Sequence, residues 1–347
     1  MNAPGWLETL FHVTDSPVEQ ALALTFLALT LGSLARLAAI AVRRRQGRAE
    51  AASQRLASLR TWWLLFVTLA AAVLLGPLGV CLLLALASVL GLREFSRLIL
   101  GEHDTDEHRL AVVCLLLLVP ATFGPIALGH GAIALAVAPM LAVVLIALSQ
   151  VIEDAPSTYV RATGGLLLGS ITLISGLGHG AVLAYSSELS TPPKSGVSWF
   201  LLLVVLTELN DIGQALVGRR IGRHHITPRL SPHKTWEGLF GGWFVTSLCS
   251  AILSPFLTDL GAQSPSPTFW ESAAAALPWS IAAATVISLS GFLGDLNMSG
   301  VKRFVGVKDS SRALPGMGGV LDRVDSLTLT APCLYWLIVV PHQAGLF

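Results

Sequence analysis

Residues 294–326 read GDLNMSGVKRFVGVKDSSRALPGMGGVLDRVDS and lie between two long apolar runs. The segment gathers Asp295, Asp309, Asp322 and Asp325, Lys302 and Lys308, Arg303, Arg312 and Arg323, and a glycine-rich break from Pro315 to Gly319. Its surroundings decide the fold. The 347-residue chain is 53% hydrophobic and only 12% charged, against ~25% charged residues in an ordinary soluble domain. Its mean hydropathy is +0.70, and the apolar residues come in runs rather than periodic singles. The expected fold is therefore all-α: a polytopic integral membrane bundle. A polar island within it has to serve chemistry, because a charged side chain in a membrane protein is costly unless paired or used.

A hydrocarbon core of ~30 Å needs roughly twenty apolar residues of helix to cross it. Runs near 20–41, 61–76, 78–93, 110–128, 131–151, 163–185, 197–217, 239–257, 276–296 and 326–343 meet or approach that length, giving about ten transmembrane helices. Only Gly76-Pro77 separates the second and third of these. Orientation follows from where Lys and Arg fall. With the N-terminus outside, the inward segments are 42–60, 94–109, 152–162, 218–238 and 297–325. Together with Arg36 and Arg93 near inward helix ends, they hold every one of the 22 basic residues except Lys194. The chain divides on this reading into an N-terminal transmembrane region, 1–185, and a C-terminal catalytic region, 186–347, with cytoplasmic loops at 218–238 and 297–325.

The first twenty residues lack the basic start, apolar core and cleavage site of a secretory signal and read as a short interfacial segment. Cys81, Cys114, Cys249 and Cys333 all fall inside apolar runs, without a CxxC pair, and read as buried small hydrophobes. The Arg43-Arg44-Arg45 run has no interleaved aromatics and reads as a topogenic loop facing anionic lipid, not a nucleic-acid patch. GEHDTDEH at 101–108 reads as a solvated acidic loop. Neither a Walker P-loop nor a dinucleotide-binding GxGxxG is present.

A second polar concentration starts within the seventh span, where Glu208 and Asp211, three apart, share a helix face. The loop beyond it carries Arg219, Arg220, Arg223, Arg229 and Lys234, a cation density suited to phosphate. Ser231-Pro232 has the form of an N-cap followed by proline, which would put Lys234, Thr235 and Glu237 on the opening turn of the eighth span. His224, His225 and His233 carry no assignment. In the island itself Asp295, Ser299 and Arg303 recur every four residues and align on one helix face. A helix starting near Val320 places Asp322 and Asp325 in its first turn. Carboxylates suit a hard cation, and basic residues beside a glycine turn suit phosphates. This is the equipment of metal-assisted phosphoryl or nucleotidyl transfer, and a substrate with a phosphate head and a lipid tail would explain its place at a membrane surface.

The run from Ser299 to Asp325, SGVKRFVGVKDSSRALPGMGGVLDRVD, resembles the signature of the phosphatidate cytidylyltransferases, or CDP-diacylglycerol synthases. The upstream block from Asn210 to Gly238 resembles that family's nucleotide-side loop, and Arg93-Glu94-Phe95 is a weaker echo. Two positions depart from the pattern: Met317 stands where the family has histidine in P-G-H-G-G, and Ile212 where it has threonine in Asp-Thr-Gly. Methionine has no donor to offer, which marks a divergent branch.

The resemblance implies transfer of CMP from CTP to phosphatidic acid, giving CDP-diacylglycerol and pyrophosphate in phospholipid biosynthesis. It implies catalytic roles for Asp211, Lys308, Asp309, Asp322 and Asp325, and phosphate-side roles for Lys234, Arg303, Gly318 and Gly319. Asp295, Asp322 and Asp325 are the implied ligands of Mg²⁺, with K⁺ as a second cation. The expected partners are CTP, phosphatidic acid and membrane lipids, with no nucleic acid. A homodimer is compatible with the chain's size, although no clean GxxxG run marks an interface. The expected location is a bacterial inner membrane, with the site on the cytoplasmic side. Two other readings stay open: a nucleotidyltransferase acting on another lipid phosphate, and a non-catalytic lipid-phosphate binder that lost activity at Met317.

Overall fold

The computed structural model describes residues 16–45, 49–154, 156, 158–260 and 269–345. Its elements are α1 (Pro17–Arg45), α2 (Ala49–Leu74), α3 (Gly76–Glu107), α4 (Arg109–Ala127), α5 (Gly131–Glu153), α6 (Tyr159–Ser170) and α7 (Leu177–Tyr185). There follow α8 (Gly196–Ile221), the short strands β1 (His225–Thr227) and β2 (Ser231–Thr235), α9 (Trp236–Leu257), α10 (Phe269–Phe304), α11 (Leu321–Val324) and α12 (Leu327–Gln343). Among the described residues ten helical segments are long and apolar enough to cross a membrane, as the hydropathy predicts. The chain is a multi-pass membrane protein. The interfacial reading of the first residues falls outside the described ones.

Burial identifies the centre. The span from Tyr159 to Tyr185 is 78% buried inside the protein, whereas that of α1 is 11% buried, so the former is the axis and α1 is peripheral. Leu173, Ile174, Leu177, Ala181 and Leu183 of this axis are fully enclosed. Between α6 and α7 the chain widens into a π-helical stretch, Ile171–Gly176. A backbone carbonyl facing hydrocarbon without a partner is costly, and the Ser88 hydroxyl answers Leu173 by donating to its carbonyl at 2.6 Å. A Cβ on Gly176 would come within 2.3 Å of the Thr328 carbonyl, so this stretch brings the axis against α12.

Helices α8 and α9 meet backbone to backbone. A Cβ on Gly242 would stand 2.4 Å from the Gln214 side chain, and one on Gly238 2.9 Å from the Gln214 carbonyl. Small residues permit such close approach where lipid supplies no hydrophobic drive. Gly238 and Gly242 form a GxxxG pair that serves this intrachain contact. Buried Asn210 lies in the same seam, where its Oδ1 accepts from Thr246 at 3.5 Å.

Four local expectations are corrected. Cys81 alone of the cysteines is buried; Cys114 and Cys249 are half-buried and Cys333 is exposed, because an apolar residue on the outer face of a membrane bundle meets lipid rather than water. Residues 101–107 continue α3 across a bend at Gly101, φ 80, instead of forming a loop. His108 is fully buried, between Glu153 at 3.2 Å and Thr158 at 2.7 Å. Ser231-Pro232 is no helix cap: Ser231–Thr235 pairs antiparallel with His225–Thr227, and Thr235 caps α9 by accepting from the Gly238 amide at 3.1 Å.

The basic end of the bundle gathers Arg219 and Arg220 of α8 with Lys302 and Arg303 of α10. At the opposite end Lys194 pairs with Asp259 at 2.9 Å and donates to the carbonyls of Pro255, in the last turn of α9, and of Thr258 just beyond it.

Candidate active site

Helices α8 and α10 and the junction of α11 and α12 bring Asp211, Asp295 and Asp325 near one another at the basic end. A Cβ on Gly294 of α10 would lie 2.6 Å from the Asp325 carbonyl, so α10 runs directly against the junction of α11 and α12. Ser326 in that junction donates its hydroxyl to Asp211 of α8 at 2.7 Å, and its amide to Asp325 at 2.9 Å. Asp211, Asp295 and Asp325 consequently stand within electrostatic reach of one another. The Asp211 Oδ1 is buried without a hydrogen-bond partner, and so is Nε of Arg323. Two lysines answer this negative charge. Lys234, the penultimate residue of β2, reaches Asp295 at 2.7 Å and the Gln214 side chain at 3.1 Å. Buried Lys302 pairs with Asp322 at 2.7 Å.

Asp322 and Glu94 together hold the glycine turn. One Asp322 oxygen accepts from the amides of Ser310 and Gly319, each at 2.9 Å, and from the Ser310 hydroxyl at 2.8 Å. The Glu94 carboxylate accepts from the hydroxyls of Ser310 and Ser311 and from the amides of Val320 and Leu321. Those amides open α11, so Glu94 does for α11 from α3 what an N-cap does from within a helix.

The family model of the cytidylyltransferase family matches residues 56–340, which covers both the carboxylates and Glu94. The chain belongs to the cytidylyltransferase family. It is 34% identical over 281 residues to the uncharacterized protein YnbB of Escherichia coli (strain K12), covering 81% of this chain and 86% of that protein. It is 37% identical over 147 residues to the phosphatidate cytidylyltransferases of Staphylococcus epidermidis and Staphylococcus aureus. That match covers 42% of this chain and 51% of each relative, so the chain spans about half the length of these phosphatidate cytidylyltransferases.

In this cytidylyltransferase-family member the residues expected at the site separate into groups. Asp211, Asp295 and Asp325 interact electrostatically, and Lys234 pairs with Asp295. Asp322 stands aside as a structural clamp, with both oxygens taken by Lys302 and the turn. Gly318 and Gly319 approach carboxylates of the protein: a Cβ on Gly318, φ +85, would be 2.5 Å from Asp322 Oδ2, and one on Gly319 2.3 Å from Glu94 Oε2. These protein oxygens leave no room for a side chain at either position. Arg303 is exposed and bonds the carbonyls of Leu230 and Val307, linking the hairpin to α10. Lys308 and Asp309 are exposed beyond the end of α10 and make no ion pair among the described residues.

Sequence reasoning gave Glu94 too little weight, because its partners lie 216 to 227 residues away; the Arg-Glu-Phe echo was its one signal. His224, left without a role, pairs with Glu237, whose other oxygen accepts the amides of Arg223 and His224. This pairing ties the end of α8 to the start of α9.

The donor set fits a divalent cation in kind. Three carboxylates repel one another, and the orphaned Asp211 oxygen lacks any partner. Among the described residues no three acidic, His or Cys side chains are arranged around a single point, and the Lys234 ammonium stands beside Asp295.

Proposed function

We propose that this protein transfers CMP from CTP to the phosphate of phosphatidic acid, yielding CDP-diacylglycerol and pyrophosphate. The observation that carries the proposal is the meeting of Asp211, Asp295 and Asp325 with Lys234 at the basic end of a membrane bundle. Family membership supports it.

The lipid phosphate is already an anion, so attack on the α-phosphorus of CTP needs no strong base. The obstacle is repulsion between anions and the charge growing on the leaving pyrophosphate. Asp211, Asp295 and Asp325 would hold Mg²⁺, which when bound supplies the neutralising charge; a second cation, K⁺, rests on resemblance alone. Lys234, held beside Asp295, is placed to move its ammonium from carboxylate to phosphate as substrate enters. Arg220, Arg223 and Arg229, exposed on the hairpin side, offer cations to the triphosphate. Lys302, Asp322 and Glu94 keep the turn and α11 in register so that Asp325 faces Asp211. The active site is placed on the cytoplasmic side of a bacterial inner membrane, where CTP is found.

The test is purified protein with Mg²⁺, labelled CTP and phosphatidic acid. Asp325→Asn should lower CTP incorporation by on the order of 10²-fold or more, as removal of a key charge-stabilising group does, while the protein still inserts and purifies. Unchanged turnover would remove Asp325 from the mechanism. A second reading, transfer to a different lipid phosphate, is favoured by Met317 and by the fuller match to YnbB than to the phosphatidate enzymes. A panel of lipid phosphates with the same CTP separates the two.

A further inference from the structure

One cavity lies beside the Glu94 clamp. It holds about 380 Å³ and is lined by Leu90, Arg93, Glu94 and Arg97 of α3 and by Ser311, Ala313 and Val320 around the glycine turn. Leu82, Leu86 and Leu90 of α3 are 59%, 54% and 36% exposed, and in a membrane protein that exposure is to acyl chains. Arg93 and Arg97 follow Leu90 by three and seven residues, spacings that keep them on the same helix face, so the lipid-facing stripe of α3 runs into two guanidinium groups. Both arginines are exposed and make no ion pair among the described residues. Glu94, between them, cannot serve either, because Ser310, Ser311, Val320 and Leu321 already take its oxygens.

Two guanidiniums without an ion pair among the described residues, lining one apolar cavity, match a dianionic phosphate attached to acyl chains. We infer that this cavity is a lateral docking site for the headgroup of a phosphomonoester lipid, with Arg93 and Arg97 on its phosphate and its tails along Leu82, Leu86 and Leu90. The inference rests on the proposed function for its consequence, since a lipid docked there lies against the turn that positions Asp325. Ser311, shared between the cavity and Glu94, joins the two sites.

Binding and turnover are read separately. Protein reconstituted in nanodiscs with phosphatidic acid or phosphatidylglycerol is examined by native mass spectrometry for retained lipid, then assayed with CTP. The wild type should retain phosphatidic acid over phosphatidylglycerol. Arg93→Gln/Arg97→Gln should lose that preference and raise KM for the lipid about tenfold, with kcat and the KM for CTP little changed. Arg109→Gln, which removes an exposed cation elsewhere at the same end, should alter neither, and Arg93→Lys/Arg97→Lys should recover part of the preference. Glycerol phosphate, which shares the headgroup charge but has no tails, should not displace the lipid at millimolar concentration. Equal retention of both lipids by the wild type, or an unchanged preference in the double Gln variant, would overturn the inference. Arginine-dependent retention without any CDP-lipid product would leave the docking site standing and sink the proposed reaction; product formed with an unchanged lipid KM would do the reverse.

Discussion

At Gly319 the tolerance of the site to a single carbon can be stated in ångströms. A Cβ there would stand 2.1 Å from the Ser310 hydroxyl and 2.3 Å from Glu94, separations that force the clamp apart. Gly319→Ala should therefore loosen α11, at a cost of about 1–3 kcal/mol as for other overpacked positions, and should lower activity more than it lowers the yield of folded protein. Thermal unfolding in detergent beside a CTP-incorporation assay checks both. Glu94→Gln tests the same clamp by chemistry rather than size. The amide keeps a single oxygen where the carboxylate accepts four hydrogen bonds with two, and its NH₂ would face donors, so a loss of about 1–3 kcal/mol is expected from the unsatisfied groups. Equal melting temperatures for Glu94→Gln and wild type would show that the carboxylate is not what holds the turn.

Among the elements, the hairpin between α8 and α9 shows how two signals four residues apart compete. Ser231-Pro232 has the form of a helix start, yet strand pairing claims it, and Thr235 performs the capping. Thr235→Ala should cost about 1 kcal/mol, the usual worth of an N-cap, whereas Ser231→Ala should cost markedly less; comparing the two melting temperatures decides the matter. At the far end, burial alone would raise the Asp259 carboxyl, but hydrogen bonds from Lys194 and Thr191 outweigh it and hold it below its ordinary value of 3.8. A depressed folded-state pKa stabilises above the unfolded value and is lost as pH falls through the folded one. The Lys194 clamp on α9 should thus be fully present at neutral pH and fail only in acid below about pH 4, and Asp259→Asn should flatten that acid limb of the unfolding profile. The spans themselves were legible because runs of apolar residues report directly on hydrocarbon thickness. Asp295 and Asp325 were legible as candidates because both fall in the one polar segment, 294–326, between apolar runs. The Glu94 clamp was not: its hydrogen bonds close a loop of more than 200 residues, and no local pattern records what a distant helix supplies. The π-helical stretch in the central span and the cap at Thr235 were hidden for a related reason, since tertiary partners chose between local conformations of similar energy.

The whole molecule separates charge by end. Arg219, Arg220, Lys234, Lys302 and Arg303 gather at one end with the carboxylates, and Lys194 at the other is neutralised by Asp259. Excess Lys and Arg in short loops retains those loops on the cytoplasmic side, so the basic end should face inward and the site should meet CTP directly. Labelling tests this with cysteines at two exposed positions, Lys308→Cys at the basic end and Glu188→Cys at the opposite end. A membrane-impermeant maleimide should modify position 188 in intact spheroplasts and position 308 only in inverted vesicles, with the wild type as the background for the native thiols. Saturating CTP with Mg²⁺ should then slow labelling at 308, which lies just beyond Lys302 and Arg303 of α10, without changing it at 188. Labelling of 308 from the outside would invert the bundle and place the carboxylates away from any nucleotide supply, and the proposed reaction would fall with the topology.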